Sequence, residues 1–379
     1  MGYILNEDSK ALVADVRNFC EKEVKEQCKE YDRSGEFPAE IYEKAIALGY
    51  HMLEVPEEFG GLGLDRITVS AMYEEMAKAD AGFATTFAAS QLGLKPVLIA
   101  GTDEQKQTCC DMIIEGGYGA FCLSEPNAGS DAGSGKTTAV KDGDDYILNG
   151  RKCFITNAPV ADFYVVTAMT TKDVGTKGMS AFLIYKDTPG LSTTNHEDKM
   201  GIRTSITSDV VLEDCRIPAS QILGAEGTGF VTAMKTLDLA RTVMGTVAVG
   251  IAQRALDEGV EYTKSRMQFG KPVAKNQALQ FKMADMEIQI ETARQMVVHA
   301  YNLMEAGLPF SKESAIAKCY AGDIAVQVAL DGIQLLGGYG YSREYPVEKL
   351  LRDAKIFQIF EGSNEVQRIV VANSILGRF

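Results

Sequence analysis

Apolar residues in the first hundred positions recur at spacings of three and four. Leu12, Val13, Val16, Phe19, Cys20 and Val24 are separated by acids and lysines, which lines one face of an amphipathic helix. A second helix is expected after Phe37-Pro38, because proline is tolerated in a first turn. The run PEEFGGLGL (Pro56 to Leu64) breaks the pattern, and helical spacing resumes over 66–78 and on both sides of Gly101. The character changes near Tyr118. TTAVKDGDDYILNG reads as a hairpin turning at Asp142-Gly143-Asp144. FYVVTAM, SAFLIY and SDVVLED are further strand candidates, bounded by Gly, Pro, Asp and Asn. Helical spacing returns in three long runs, over 226–264, 276–306 and 311–335.

The order α, β, α predicts an α+β chain with an N-terminal helical domain over 1–117, a middle β domain over 118–223 and a C-terminal helical domain over 224–379. A length of 379 residues suits that division. Strands do not alternate with helices, which argues against a doubly wound nucleotide fold. GSGKTT (Gly133 to Thr138) imitates a P-loop, but Ser130 stands where that motif needs glycine. The residues after it read as a hairpin and not as a helix.

Charge narrows the function. Acidic residues outnumber basic ones, 52 to 38, for a net charge of −14, so no footprint for nucleic acid or an anionic membrane is expected. No stretch reaches the ~20 apolar residues of a membrane span. The first residues show neither a basic leader nor an apolar core of a signal peptide. Eight cysteines are scattered without a C-x-x-C, and there are three histidines, so no metal site is expected. Buried free thiols in a reducing cytoplasm are the simplest reading.

Four segments carry chemistry. FCLSEPNAGSDAGS (121–134) ends a strand in a loop of Ser, Asn and Gly, which presents backbone N–H groups to an anion or a polar ring edge; an ordinary polar turn is the bland alternative. RMQFGKPVAKNQALQFKMADM (266–286) places Arg266 and Gln268 near a helix that can stop at Gly270. These residues suit a phosphate or simply complement a helix dipole. In QLLGGYGYSREYPVEKLLRDAKI (334–356), two glycines after a helix allow close approach of a ligand or make a plain C-cap. In IFQIFEGSNEVQRIVVANSIL (356–376), Glu361 sits between an apolar run and a helix expected to start at an Asn364/Gln367 capping box. Apolar surroundings raise a carboxyl pKa and make a competent base; a helix dipole acts the other way, and a solvated loop acid is the alternative.

Together and in this order, the segments resemble the acyl-CoA dehydrogenase family. The resemblance spans nearly the whole chain and includes VPEEFGGLGL, LSEPNAGSD, NGRKCFITN, KMGIRTS, TLDLAR, RMQFGKP, QLLGGYGYSREYPVEKLLRDAKI and IFEGSNEVQ. It implies a three-domain α–β–α fold, bound FAD, and oxidation of a short-chain acyl-CoA thioester to trans-2-enoyl-CoA. Glu361 would remove the α-proton while the β-hydrogen leaves as hydride to flavin N5. Electrons would pass to an electron-transferring flavoprotein. The Glu361 N–H would hydrogen-bond the thioester carbonyl.

Residue by residue, the resemblance places Phe121, Leu123, Ser124, Gly129 and Ser130 along the flavin, with Ser130 also toward CoA. Phe154, Ile155 and Thr156 match a W-I-T segment beside the isoalloxazine, Phe154 keeping an aromatic plane. Arg266, Gln268, Phe269 and Gln277 match residues that reach the FAD of a neighbouring subunit. Gln334, Leu335, Leu336, Gly337 and Gly338 match adenosine-side contacts, and Ser363 and Glu365 border the same cofactor. Asp238, Arg241 and Gly362 fall on the substrate side.

Ala240 stands where isovaleryl-type and long-chain-type relatives carry their catalytic glutamate, which leaves Glu361 as the base. The resemblance further implies a cytoplasmic homotetramer built as a dimer of dimers. The same site run in reverse, as an enoyl-CoA or aryl-acryloyl-CoA reductase of an anaerobe, is the runner-up. A non-catalytic relative that binds CoA thioesters or proteins is the third reading.

Overall fold

Short polar side chains set the helix starts. Asn6 accepts the Ser9 N–H and opens α1 (Glu7–Phe19). A π turn over 20–24 carries the chain into α2 (Gln27–Ser34), and α3 (Ala39–Ala47) follows Pro38 as expected. Asp65 caps α4 (Arg66–Ala79), Asp80 caps α5 (Ala81–Ala100), and a Thr102–Gln105 capping box opens α6 (Asp103–Ile114). The computed structural model describes residues 2–377.

The strands follow over 119–223. They are β1 (Gly119–Cys122), β2 (Thr138–Asp142), β3 (Asp145–Thr156), β4 (Phe163–Met169), β5 (Met179–Tyr185), β6 (Leu191–Thr193), β7 (Thr207–Pro218) and β8 (Ile222–Leu223). They pair in the order β6-β7-β3-β2-β4-β5-β8, with β1 parallel to β4. The β2–β3 hairpin turns at Gly143, as its sequence predicts, with φ at +63°. The P-loop imitation is a 3₁₀ turn followed by β2, so it has no phosphate-loop context.

Helices then return: α7 (Gly229–Ser265), a small β9 (Met267–Gln268) and β10 (Lys271–Pro272) hairpin, α8 (Gln277–Glu305), α9 (Ser311–Leu336), α10 (Val347–Lys355) and α11 (Asn364–Leu376). Two expected boundaries move. α7 stops at Ser265, and Gly270 instead serves the hairpin turn at φ +74°. Ser363, not Asn364, caps α11 by accepting the Val366 N–H, because Asn364 is buried and used elsewhere.

Phe83, Phe87, Val247, Ile251, Val297, Ala321 and Phe357 belong to one apolar core, so the two helical segments pack as a single body. A second core, with Leu148, Tyr164, Phe182 and Ile217, fills one side of the sheet. α5 joins them. It is buried from Ala81 to Val97, all round, as a helix between two layers must be. The cysteines are free thiols, buried except for the half-buried Cys319. No described helix is long and apolar enough to cross a membrane.

Candidate active site

β1 ends at Cys122 and releases the polar loop 123–134. Two buried charges shape that loop. Lys152 on β3 donates Nζ to Glu125 Oε1 at 2.7 Å, to the Leu123 carbonyl at 3.2 Å and to Thr167 Oγ1 at 3.1 Å. Glu125 also accepts the N–H groups of Lys136 at 2.6 Å and Thr137 at 3.2 Å. Burial pushes the Lys152 ammonium down while Glu125 holds it up, and Lys152 keeps the Glu125 carboxyl below the usual range against its own burial. Phe121 on β1 and Leu123 and Ser124 on the loop are half-buried, and Gly129 and Ser130 are exposed on the loop.

The next residues of β3 face the same loop. The Cys153 N–H donates to the Ser124 carbonyl at 2.9 Å. The β3–β7 register then slips between Lys152 and Ile155, and Phe154 takes a left-handed φ of +57°. Its N–H is held by Asp209 Oδ1 at 3.3 Å, and its ring is 70% exposed. A large aromatic fixed on strained backbone and left bare is a surface for a planar ligand. The residues therefore fit a flavin: an aromatic plane stands beside a loop of exposed backbone amides and hydroxyls. Thr156 is half-buried nearby. The Ile155 side chain points into the sheet core, so only its backbone faces that plane.

Glu361 follows a 3₁₀ turn, Ile356–Gln358, and has a left-handed φ of +54°, with Gly362 next at +86°. Gln367 pins the turn, donating Nε2 to the carbonyls of Glu361 at 3.1 Å and Gly362 at 2.8 Å. Burial pushes the Glu361 carboxyl up to about 7, with Lys318, Arg241 and Lys95 pulling it down. Arg241 is buried on α7 and paired with the half-buried Asp238. Burial lowers its pKa, and Asp238 and Glu361 oppose that. Its Nε is buried without a hydrogen-bond partner. Lys95, from α5, pairs with Glu54 at 2.6 Å. Ala240 is buried beside Arg241 and supplies no carboxylate.

The other expected residues form a separate group. Arg266, Gln268, Phe269 and Gln277 are exposed at the hairpin and the start of α8, Phe269 at 95%. The Arg266 guanidinium lies 5.4 Å from the Tyr339 ring centroid, just past Gly337 and Gly338. Gln334 and both glycines are exposed, while Leu335 and Leu336 are in the helical core and offer no side chain to a ligand. Among the described residues, no hydrogen bond or ion pair joins this group to the 123–134 loop or Phe154. Half-buried Ser363 and exposed Glu365 lie at the start of α11, beside Glu361. Lys152, Glu125, Lys318, Lys95 and Glu54 carry much of the site and were not read from sequence, and Asn364 and Gln367 were read only as a capping box. A lysine at an inward position of β3 was the one available signal.

Comparison with known proteins identifies the family and the fold. Three acyl-CoA dehydrogenase family models match in order: the N-terminal domain over 6–117, the middle domain over 120–215 and the C-terminal domain over 227–376. Butyryl-CoA dehydrogenase from Megasphaera elsdenii superimposes with a TM-score of 0.96 at 43% identity, covering 99% of this chain and 100% of that one. A chain solved in work on the electron transferring flavoprotein of Acidaminococcus fermentans superimposes at 0.97 with 45% identity, covering 100% of both. A 3-(aryl)acrylate reductase of Clostridium sporogenes is 43% identical over 95% of this chain and 96% of its own length. With all three domains matched along its length, this chain belongs to the acyl-CoA dehydrogenase family, whose members are FAD-dependent oxidoreductases.

Proposed function

We propose that this enzyme dehydrogenates a short-chain acyl-CoA thioester to trans-2-enoyl-CoA, with Glu361 as the base that removes the α-proton. The observation that carries this reading is the Glu361 carboxyl itself. It is half-buried on a pinned turn, and a pKa pushed up to about 7 by burial lets it be ionised at neutral pH and still hold a proton well. Among the described residues no protein acceptor takes the Glu361 N–H. That group is therefore available to donate to the thioester carbonyl, where negative charge develops as the α-proton leaves. Bound FAD supplies the two-electron acceptor that takes the β-hydrogen as hydride. Phe121, Leu123, Ser124, Gly129, Ser130, Phe154 and the 155–156 backbone would hold it, with Ser363 and Glu365 at its border. Ser130, Asp238, Arg241 and Gly362 would face the substrate.

The exposure of Arg266, Gln268, Phe269 and Gln277, apart from Phe154, supports their serving a neighbour's FAD in a homotetramer. The Acidaminococcus neighbour supports an electron-transferring flavoprotein as partner. A second reading is the reverse reaction, reduction of an enoyl-CoA or aryl-acryloyl-CoA. It is favoured by the likeness to the 3-(aryl)acrylate reductase.

Anaerobic addition of butyryl-CoA to the flavin-loaded enzyme tests the assignment. The yellow colour is expected to bleach. Glu361→Gln is expected to keep flavin and bind thioester but to lose bleaching by several orders of magnitude. Bleaching at the wild-type rate in that variant rejects Glu361 as the base. An enzyme that ignores butyryl-CoA yet is reoxidised by an aryl-acryloyl-CoA takes the reductase reading.

A further inference from the structure

Lys318 lies on α9 with 1% of its surface exposed. A buried ammonium is costly unless charge or hydrogen bonds compensate it. Among the described residues no carboxylate lies in ion-pairing contact with it. Its Nζ donates instead to the Gly362 carbonyl at 2.8 Å and to Asn364 Oδ1 at 3.0 Å. Both acceptors adjoin the base along the chain. Asn364 is itself locked back onto α9, donating Nδ2 to the Cys319 carbonyl at 3.0 Å and to Asp323 Oδ1 at 2.9 Å. These bonds close around two consecutive left-handed residues, Glu361 and Gly362. The left-handed conformation is unfavourable for a non-glycine residue, so the turn needs such a clamp.

Three cations act on Glu361, each from a different helix. Arg241 of α7 is tied to Asp238, and Lys95 of α5 to Glu54. Lys318 of α9 alone has no carboxylate in contact among the described residues. The other charged or titratable groups near it are Arg241, Cys319 and Asp323, and Asp323 is occupied by Arg368 at 2.7 Å.

We infer that Lys318 is a positioning residue for the base: its ammonium clamps the Gly362 carbonyl so that Glu361 keeps its left-handed turn, and sets an unpaired positive charge behind the Glu361 carboxylate. This rests on the reading of Glu361 as the base. The charge on Lys318 favours the ionised carboxylate, while burial opposes it. Reciprocally, burial pushes Lys318 down to about 8 and Glu361 holds it up.

The test is anaerobic flavin reduction by butyryl-CoA, followed across the neutral pH range on flavin-loaded enzyme. Wild type is expected to gain rate through about pH 7 and then level off. Lys318→Met and Lys318→Gln both lose the charge, and their rising limb is expected to move alkaline by about half a unit or more. Lys318→Gln keeps a donor for the Gly362 carbonyl, so its plateau rate is expected to exceed that of Lys318→Met. It also decides the matter if Lys318→Met does not fold. Lys318→Arg keeps the charge and is expected to keep the wild-type limb. Slow reduction with an unmoved limb in the uncharged variants would reduce Lys318 to a packing role and overturn the proposal. Glu361→Gln run alongside separates the two failures, since undiminished reduction there defeats the base assignment instead.

Discussion

Lys152 and Glu361 show what a single residue reveals before folding. Glu361 is legible because its neighbours in sequence are also its environment: apolar side chains before it, a glycine and a helix start after it. Lys152 is not legible in the same way. Its partners are 15 to 29 residues distant, and a lysine in a strand ordinarily faces water. The fold instead buries it at 1% exposure under the 123–134 loop, against Glu125. Removing one partner of such a pair leaves the other charge uncompensated, at about 3–5 kcal/mol. Lys152→Met is therefore expected to lose about that much stability in denaturant unfolding of the apoprotein. It is also expected to hold FAD more weakly in fluorescence titration, because the Leu123 carbonyl loses its donor. Lys152→Met with Glu125→Gln is expected to recover part of the stability. A double variant no more stable than Lys152→Met would mean that the charges are not coupled.

Helices and strands were placed well by periodicity, since it records which faces are buried. What periodicity lacks is distance between elements. α5 was readable as a helix, yet its place between the helical core and the sheet follows from its small residues. A side chain at Gly93 would put its Cβ 2.6 Å from the Ala120 N, inside contact distance of β1. The Ser90 hydroxyl accepts the Gly119 N–H at 3.0 Å along the same seam. Since β1 runs directly into the 123–134 loop, the seam fixes where that loop begins. Gly93→Ala gains helix propensity of about 1 kcal/mol. It is nevertheless expected to destabilise by about 1–3 kcal/mol through overpacking and to release FAD more readily on dilution. A Tm that rises would show that the seam yields without strain. The shifted α11 cap has a related cause. Asn364 is a fair capping residue by local rules, but its amide is committed to α9, and Ser363 takes the cap.

At the scale of the whole molecule, a buried charge cluster joins the three segments of chain. Asp80, the cap of α5, meets Lys349 of α10 at 2.8 Å and accepts the Thr204 hydroxyl from the middle segment. Lys349 also meets Asp353 at 2.5 Å, and Asp353 accepts the Ile202 N–H at 2.6 Å. Arg352 extends the cluster to Asp32 at 2.7 Å. None of this was visible in sequence, because each residue alone reads as a surface charge on a helix end. Burial pushes the Asp353 carboxyl up and Lys349 pulls it back.

Lys349→Met leaves Asp80 and Asp353 facing each other with no cation in contact. The expected loss is about 3–5 kcal/mol at neutral pH, and its pH dependence identifies the cause. The Asp353 carboxyl, whose folded pKa is raised above its unfolded value of roughly 4, binds a proton better when folded, so its stability contribution falls as pH rises. The deficit of the variant is therefore expected to be small near the unfolded pKa. It should grow as pH rises and level off once the folded pKa is passed. Urea unfolding of wild type and variant at several pH values measures this difference directly. A deficit of equal size at acid and neutral pH would assign the loss to packing around the lysine stem. A deficit that closes on acidification assigns it to the charge that holds the three segments together.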